Sequence, residues 1–261
     1  MRQAVVTIIA IVGLIYAGCC VLLYASQRSV MYYPTPEVHV PDVAELRLES
    51  DGETLKIWRL GNAGGPNAII YFGGNAEDVS GNIPDFRNIF PEHAVYLVNY
   101  RGYGGSTGSP SEAGLYKDAL AVFDEIRAQY ANISVIGRSL GSAVASYLAS
   151  VKDIDKLVLV TPFDSIENVA KKAFPVFPVS LLLKDKFDSV GHVAEIDAPV
   201  LVVIAEDDEI IPRRRSDALA GAFPESQVII EVIPGAGHNT IGMFPRYSNV
   251  LSVFLATHPR Q

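Results

Sequence analysis

The chain has 261 residues, 49% of them hydrophobic and 19% charged, which suits one sizeable folded domain and excludes an intrinsically disordered chain. A formal net charge of −8 argues against nucleic acid as the main partner, because a phosphate backbone demands a basic surface. Both cysteines, Cys19 and Cys20, lie in an apolar N-terminal stretch, so the rest of the chain has neither a disulfide nor a thiolate metal site.

No charged residue stands between Arg2 and Arg28, and Ala4 to Ala25 is apolar apart from Thr7 and two tyrosines. Wound as a helix, this run is about 33 Å long, enough to cross a hydrocarbon core of about 30 Å. Tyr24 lies near one end, where an amphipathic ring suits the membrane interface. The sequence therefore predicts a single transmembrane anchor over residues 1–28. Two other readings remain open. One is a cleaved signal peptide, whose apolar region is normally only about 7–15 residues. The other is a lipoprotein signal ending at Tyr16-Ala17-Gly18-Cys19, against which stands the bulk of Tyr16. Arg2 and the α-amino group on one side, against Arg28 on the other, lean toward a cytoplasmic N-terminus, with the folded domain on the non-cytoplasmic side.

Residues 29–41 contain Pro34, Pro36 and Pro41 and read as an extended connector to a domain over 42–261. The domain opens on a hairpin signal, with alternating runs around Leu46–Leu48 and Leu55–Trp58 and Asp51-Gly52 between them. Continuous apolar runs follow at 68–72, 94–98, 133–136, 157–160, 200–204 and 228–233, and helical patterns at 112–129, 140–151, 213–222 and 243–257. Strands apolar on both faces, alternating with helices, predict a mostly parallel central α/β sheet flanked by helices. Only about 40 residues separate Val160 from Val200, room for a small helical insertion but not a large lid. Its Phe174, Phe177, Leu181, Leu182 and Leu183 read either as helix-to-core packing or as a wall for an acyl chain.

The pattern Gly-x-Ser-x-Gly places a serine on a sharp strand-to-helix turn, where neighbouring side chains would clash. It occurs twice. Gly137-Arg138-Ser139-Leu140-Gly141 directly follows a strand run and opens a helix rich in small residues. Gly104-Gly105-Ser106-Thr107-Gly108 sits in a glycine-rich loop with no helix behind it. Ser139 is therefore the candidate nucleophile. Of five histidines, only His238 stands in a glycine-bounded loop between the last strand and the last helix. An acid to orient it comes from the cluster Glu206-Asp207-Asp208-Glu209, and Ser139, Asp208, His238 follow the chain order that accompanies this elbow. Asp164 is the second choice. Two backbone N–H donors are needed for a developing oxyanion. Leu140 supplies one, and the loop Gly73-Gly74-Asn75-Ala76 is the source of the other. Arg213, Arg214 and Arg215 open a helix just after Asp208, and read either as a solvated helix end or as a cationic rim beside the site.

Taken together, Phe72-Gly73-Gly74-Asn75-Ala76, Asn99-Tyr100-Arg101-Gly102-Tyr103-Gly104, the Ser139 elbow, Asp208-Glu209-Ile210-Ile211-Pro212 and Gly237-His238-Asn239 resemble the α/β-hydrolase superfamily. Within it they resemble the bem46-like group, which also holds the α/β-hydrolase domain-containing proteins 13 and 17. The resemblance runs from about Tyr32 to the C-terminus. It implies an α/β-hydrolase fold with a small lid or none, a Ser-His-Asp serine hydrolase, and acyl esters or thioesters as substrates. The acid of the group stands four residues before a proline, so Pro212 selects Asp208 over Asp207. Asn75 and Leu140 become the oxyanion-hole donors. Where the group usually has His-Gly-Asn, this chain has Gly73-Gly74-Asn75. The expected partners are a small or lipid-like acyl substrate and, through the N-terminal helix, the membrane. No cofactor and no metal are called for. A peptidase or amidase on the same three residues, or a membrane-tethered binding module, are the competing functions.

Overall fold

The computed structural model describes residues 1–61 and 64–256. The predicted end of the last helix at Thr257, and His258, lie outside the described residues.

The strand runs all enter one eight-stranded sheet. β1 (Ala44–Ser50) and β2 (Glu53–Leu60) form the hairpin, with Leu46 opposite Ile57 and Leu48 opposite Leu55. Asp51 and Gly52 turn it, both at positive φ, as a tight two-residue hairpin turn requires. β3 (Asn67–Phe72), β4 (Ala94–Val98), β5 (Asn132–Arg138), β6 (Leu157–Val160), β7 (Val200–Ala205) and β8 (Val228–Ile233) complete the order β1-β2-β4-β3-β5-β6-β7-β8. Only β1 with β2 and β2 with β4 pair antiparallel; every later pair is parallel. β4 and β7 are buried along their whole length, which explains their unbroken apolar runs. β8 looks similar in sequence but is an edge strand, and it leaves Ile229 and Ile230 exposed.

The helices in chain order are α1 (Arg2–Met31), α2 (Ile83–Ile89), α3 (Glu112–Arg127), α4 (Leu140–Val151), α5 (Ile166–Ala173), α6 (Val179–Leu182), α7 (Ser189–His192), α8 (Arg213–Ala220) and α9 (Pro245–Ala256). α3, α4 and α8 cover one face of the sheet, where Leu115, Val122, Leu148 and Leu219 pack with Val135, Leu157 and Val200. α2 and α9 cover the other, where Phe86, Leu251 and Leu255 pack with Ile69, Leu97 and Val158. Each such buried side chain contributes about 1.5–3 kcal/mol relative to exposure. α2 was not legible in the sequence. Seven residues are too few to display a helical period, and Pro84, which suits a first helical turn, reads as a breaker out of context. The region between β6 and β7 holds α5, α6 and α7, the small helical insertion that its length allowed.

α1 is long and apolar enough to cross a membrane, and no residue along it is buried. It continues to Met31, three residues past the expected boundary at 28, so the connector begins as helix. Its last turns dock on the insertion through an ion pair of Arg28 with Asp185.

Behind β4, the loop that carries Tyr103 is held by a buried two-pronged ion pair. Arg101 donates from Nε and Nη2 to the two carboxylate oxygens of Asp118 on α3, at 2.8 and 2.6 Å. Removing one partner strands a buried charge. Asp118→Ala is expected to destabilise the domain by about 3–5 kcal/mol, read as a lowered midpoint in denaturant titration of the detergent-solubilised protein. A loss below about 1 kcal/mol, the size expected of an exposed pair, would show that water reaches Arg101.

Candidate active site

β5 delivers Ser139 to the carboxyl edge of the sheet, where sites on such folds form. Ser139 sits at φ +50° and ψ −115°, a conformation that is sparsely populated for a residue with a Cβ. Its N–H donates to the carbonyl of Val160 on β6, and α4 starts at the next residue. The two glycines of the motif have distinct reasons to be there. A Cβ on Gly137 would run into the Gly141 carbonyl and the Ala145 methyl, and one on Gly141 would run into the Phe72 carbonyl. The turn is thus pressed against both β3 and its own helix.

His238 lies in the loop after β8, almost fully buried. Its Nε2 is 3.0 Å from Ser139 Oγ, and its Nδ1 is 2.8 Å from Asp208 Oδ2. The other oxygen of Asp208 accepts from the N–H groups of Ile210 and Ile211, at 2.9 and 2.7 Å. Two backbone N–H groups already donate to this carboxylate, which suits it as the acceptor toward His238 as well and so assigns the proton to Nδ1. Nε2 is then left as the acceptor for the Ser139 hydroxyl. The His238 loop is also clipped from its other side: Glu209 accepts the His238 backbone N–H at 3.0 Å. The Glu209 N–H, and after it this bond from His238, hold the Glu209 carboxyl below its ordinary range. This geometry can move a proton from Ser139 onto His238 and hold the resulting cation against Asp208.

Asn75 lies on the loop after β3, next to Gly74, where an added Cβ would stand 3.6 Å from Ser139 Cβ. Both polar ends of its side chain are engaged. Oδ1 accepts from Tyr33 N–H at 3.0 Å and the Tyr103 hydroxyl at 2.7 Å, and Nδ2 donates to Met31 O at 2.6 Å. Its backbone N–H and that of Leu140 donate to no other described residue. The group's usual histidine has no room at Gly73, where a Cβ would meet Val79 Cγ1 at 2.7 Å.

A second buried network was missed in the sequence. Glu77 accepts from Gly74 N–H at 2.6 Å, the Tyr71 hydroxyl at 2.6 Å, Asn82 Nδ2 at 2.7 Å and Arg138 Nη1 at 2.7 Å. Burial pushes its carboxyl up, but the Arg138 charge, the Tyr71 hydroxyl and the Gly74 N–H outweigh that and hold it below its ordinary value. Arg138 continues the network, donating to His238 O at 3.0 Å and to Asn239 Oδ1 at 3.1 Å. The only sequence signal was an arginine inside the elbow motif, at a position that the motif leaves free.

The remaining candidates lie elsewhere. Ser106 is buried between strands, donating to Asn99 O and accepting from Lys56 N–H. Asp164, the second-choice acid, is taken up by Arg215 Nη1 at 2.6 Å, Asn168 Nδ2 at 2.8 Å and Ser165 N–H at 2.9 Å. Asp207 is exposed, and Asp208 stands at His238 instead. Arg215 is bound to Asp164 and Arg213 to Asp217, so the three arginines do not form one unpaired cationic rim.

Residues 67–182 match the family model for the α/β-hydrolase fold. An uncharacterized protein of Mycobacterium tuberculosis is 34% identical over 91% of this chain and 89% of its own length. The Schizosaccharomyces pombe protein bem46 is 30% identical over 98% of this chain and 91% of its own. Among solved structures, the Pyrococcus furiosus esterase Pf2001 superposes with a TM-score of 0.70 over 85% of this chain and 98% of its own, at 19% identity, which speaks to the fold. With an eight-stranded α/β sheet, a serine at its strained strand-to-helix turn and likeness to bem46 along nearly its whole length, the chain belongs to the α/β-hydrolase family and is a bem46-like hydrolase.

Proposed function

We propose that the protein is a membrane-anchored serine hydrolase that cleaves carboxylic ester or thioester bonds through an acyl-enzyme. The observation that carries this reading is the relay from Ser139 Oγ to His238 Nε2 and from His238 Nδ1 to Asp208 Oδ2, at 3.0 and 2.8 Å. Ser139 Oγ bonds to the substrate carbonyl carbon while its proton passes to His238. The negative charge on the carbonyl oxygen is held by the N–H groups of Asn75 and Leu140. As the carbon–oxygen or carbon–sulfur bond breaks, His238 returns the proton to the leaving group. Water then gives a proton to the same imidazole and displaces the acyl group from Ser139, which recovers its proton. Asp208 keeps Nδ1 protonated and stabilises the cation between these transfers.

The anchor rests on α1, 30 residues with a window of mean hydropathy 2.7. Its docking on the insertion through Tyr16, whose hydroxyl donates to Val176 O and whose ring stacks on Phe177, supports an anchor that stays attached, since a signal cut after about 20–25 residues would forfeit that contact. With Arg2 and the α-amino group facing the cytoplasm, the domain lies on the non-cytoplasmic side.

A fluorophosphonate probe is expected to label the protein at Ser139. Ser139→Ala abolishes labelling and turnover of an aryl ester, and Ser106→Ala retains most of both. Equal loss in the two variants would overturn the assignment of the nucleophile. Asp208→Asn is expected to lower kcat by about 10⁴-fold, the loss seen when a triad acid no longer sets the tautomer, while Asp207→Asn changes little; the reverse ranking would move the acid. The full chain stays in the membrane fraction through a carbonate wash; recovery of a soluble form shortened by about 20–25 residues would identify a cleaved signal peptide instead.

A further inference from the structure

α1 and the insertion touch along a graded seam. At one end the Tyr16 ring stacks on Phe177, with centroids 5.7 Å apart and planes 5° from parallel, and its hydroxyl donates to Val176 O at 2.8 Å. Toward the other end, the Gln27 amide donates to Leu182 O at 3.0 Å and accepts from Lys184 N–H at 2.7 Å. The Lys184 ammonium lies 4.0 Å from the Tyr24 ring centroid, and Arg28 grips Asp185 with two hydrogen bonds of 2.8 and 3.0 Å. The seam therefore runs from apolar at Tyr16 to charged at Arg28, a distance of about 18 Å along the helix.

That length constrains where the insertion lies. If Arg28, Lys184 and Asp185 mark the bilayer surface, Tyr16 lies well inside the hydrocarbon, and the insertion tip around Phe177 lies there with it. The alternative, a bilayer that begins only beyond Tyr16, leaves residues 4–15 to span it, about 18 Å against the required 30 Å or so. The tip is built for lipid. Val176 and Leu181 are 70% and 83% exposed. Its backbone is largely self-satisfied, as lipid requires: the N–H groups of Phe174, Phe177, Val179, Leu181, Leu182 and Leu183 all donate within the segment, and Pro175 and Pro178 have none to satisfy. The neighbouring charges are Glu167, which accepts from the Ser180 hydroxyl at 2.7 Å and is neutralised by Lys171 and Lys186, and Lys172; the lysines sit on stems long enough to reach toward the headgroups.

Between α1 and this tip lies a cavity of about 250 Å³, lined by Leu23, Val30 and Met31 on one side and Val169, Phe174 and Phe177 on the other. Its one polar lining side chain is Gln27, already committed to Leu182 and Lys184. Ser139 does not line it, but its Met31 end borders the loop beside Ser139: the Met31 carbonyl accepts from the Asn75 side chain at 2.6 Å.

We propose that this cavity takes the acyl chain of a bilayer-resident ester or thioester, which enters sideways between α1 and the insertion tip. The chain then never leaves apolar surroundings, while its carbonyl reaches Ser139 past Asn75. The membrane helix is on this view part of the substrate site and not only a tether. The inference rests on the reading of Ser139 as nucleophile, and the two fail separately in one experiment. Full-length protein in phosphatidylcholine vesicles is assayed on acetyl and decanoyl esters of one fluorogenic alcohol. Ala170→Trp and Val30→Trp, which fill the cavity, are expected to lower the ratio of kcat/KM for the decanoyl over the acetyl ester by about tenfold or more, the loss from excluding a few methylenes. An unchanged ratio in both variants overturns the acyl site. Acetyl-ester turnover that survives Ser139→Ala overturns the nucleophile, whatever the ratio does. The depth is read independently. In vesicles with bromine on the acyl chains, the emission that Val176→Trp adds to that of the buried Trp58 is expected to be quenched. Unquenched emission at a water-exposed wavelength places the tip outside the bilayer and overturns the lateral route.

Discussion

The strained backbone at Ser139 is the constraint around which the rest is arranged. A residue with a Cβ at φ +50° costs on the order of 1–3 kcal/mol, and it persists only where its surroundings leave no alternative. Here they leave none. β5 is a central strand between β3 and β6, the Ser139 N–H is bound to Val160, and α4 leaves at once with nine of its twelve residues buried. Relaxing the turn would move that helix off the sheet, at the cost of several buried side chains. The hydroxyl is thereby held out at the sheet edge, in reach of His238.

A second requirement is that three loops from distant parts of the chain keep register with that serine. Glu77 and Arg138 meet it. One carboxylate binds the loop of Asn75 through Gly74 N–H, and the guanidinium that it holds binds the carbonyl of His238. A buried pair of this kind contributes little net stability once its desolvation is counted, so its value lies in geometry. On the far side, Tyr103 and the carbonyl of Met31 hold the Asn75 side chain, which ties the loop both to the Arg101 segment and to the end of α1.

The site is consequently enclosed by unequal walls. Toward the sheet the side chains are buried or half-buried and tightly hydrogen-bonded. Toward α1 and the insertion the contacts are apolar, and exposed side chains crowd the tip. Along the seam with α1, charges gather where it returns toward the domain, at Arg28, Asp185 and Lys184. A densely hydrogen-bonded side thus faces an apolar one, and the Asn75 side chain touches both through Tyr103 and Met31.

The architecture was legible because it is written in local periodicity. Strands buried on both faces must be apolar throughout, the hairpin turn demands Asp51-Gly52, and the Ser139 elbow needs small residues on both sides. Such constraints act within a few residues of one another, so the linear sequence carries them. The choice of Asp208 over Asp164 was different, since both follow strands and both are acidic. Only the fold shows that Arg215 and Asn168 already occupy Asp164, while the turn at Ile210 and Ile211 aims Asp208 at His238. Glu77 and Arg138 stand 61 residues apart, and Tyr16 and Val176 160 apart. Nothing in the vicinity of either residue names the other, because such pairs are set by the strand order that brings β3 beside β5 and by the packing of the insertion on α1. What the sequence alone determined was therefore the set of elements, the serine at their sharpest turn and, through chain order and resemblance, Asp208 and His238 as its candidate partners; the engagement of Asp164 elsewhere, the network that keeps the loops in register and the contacts of the N-terminal helix with the insertion were decided by contacts that exist only once the chain has folded.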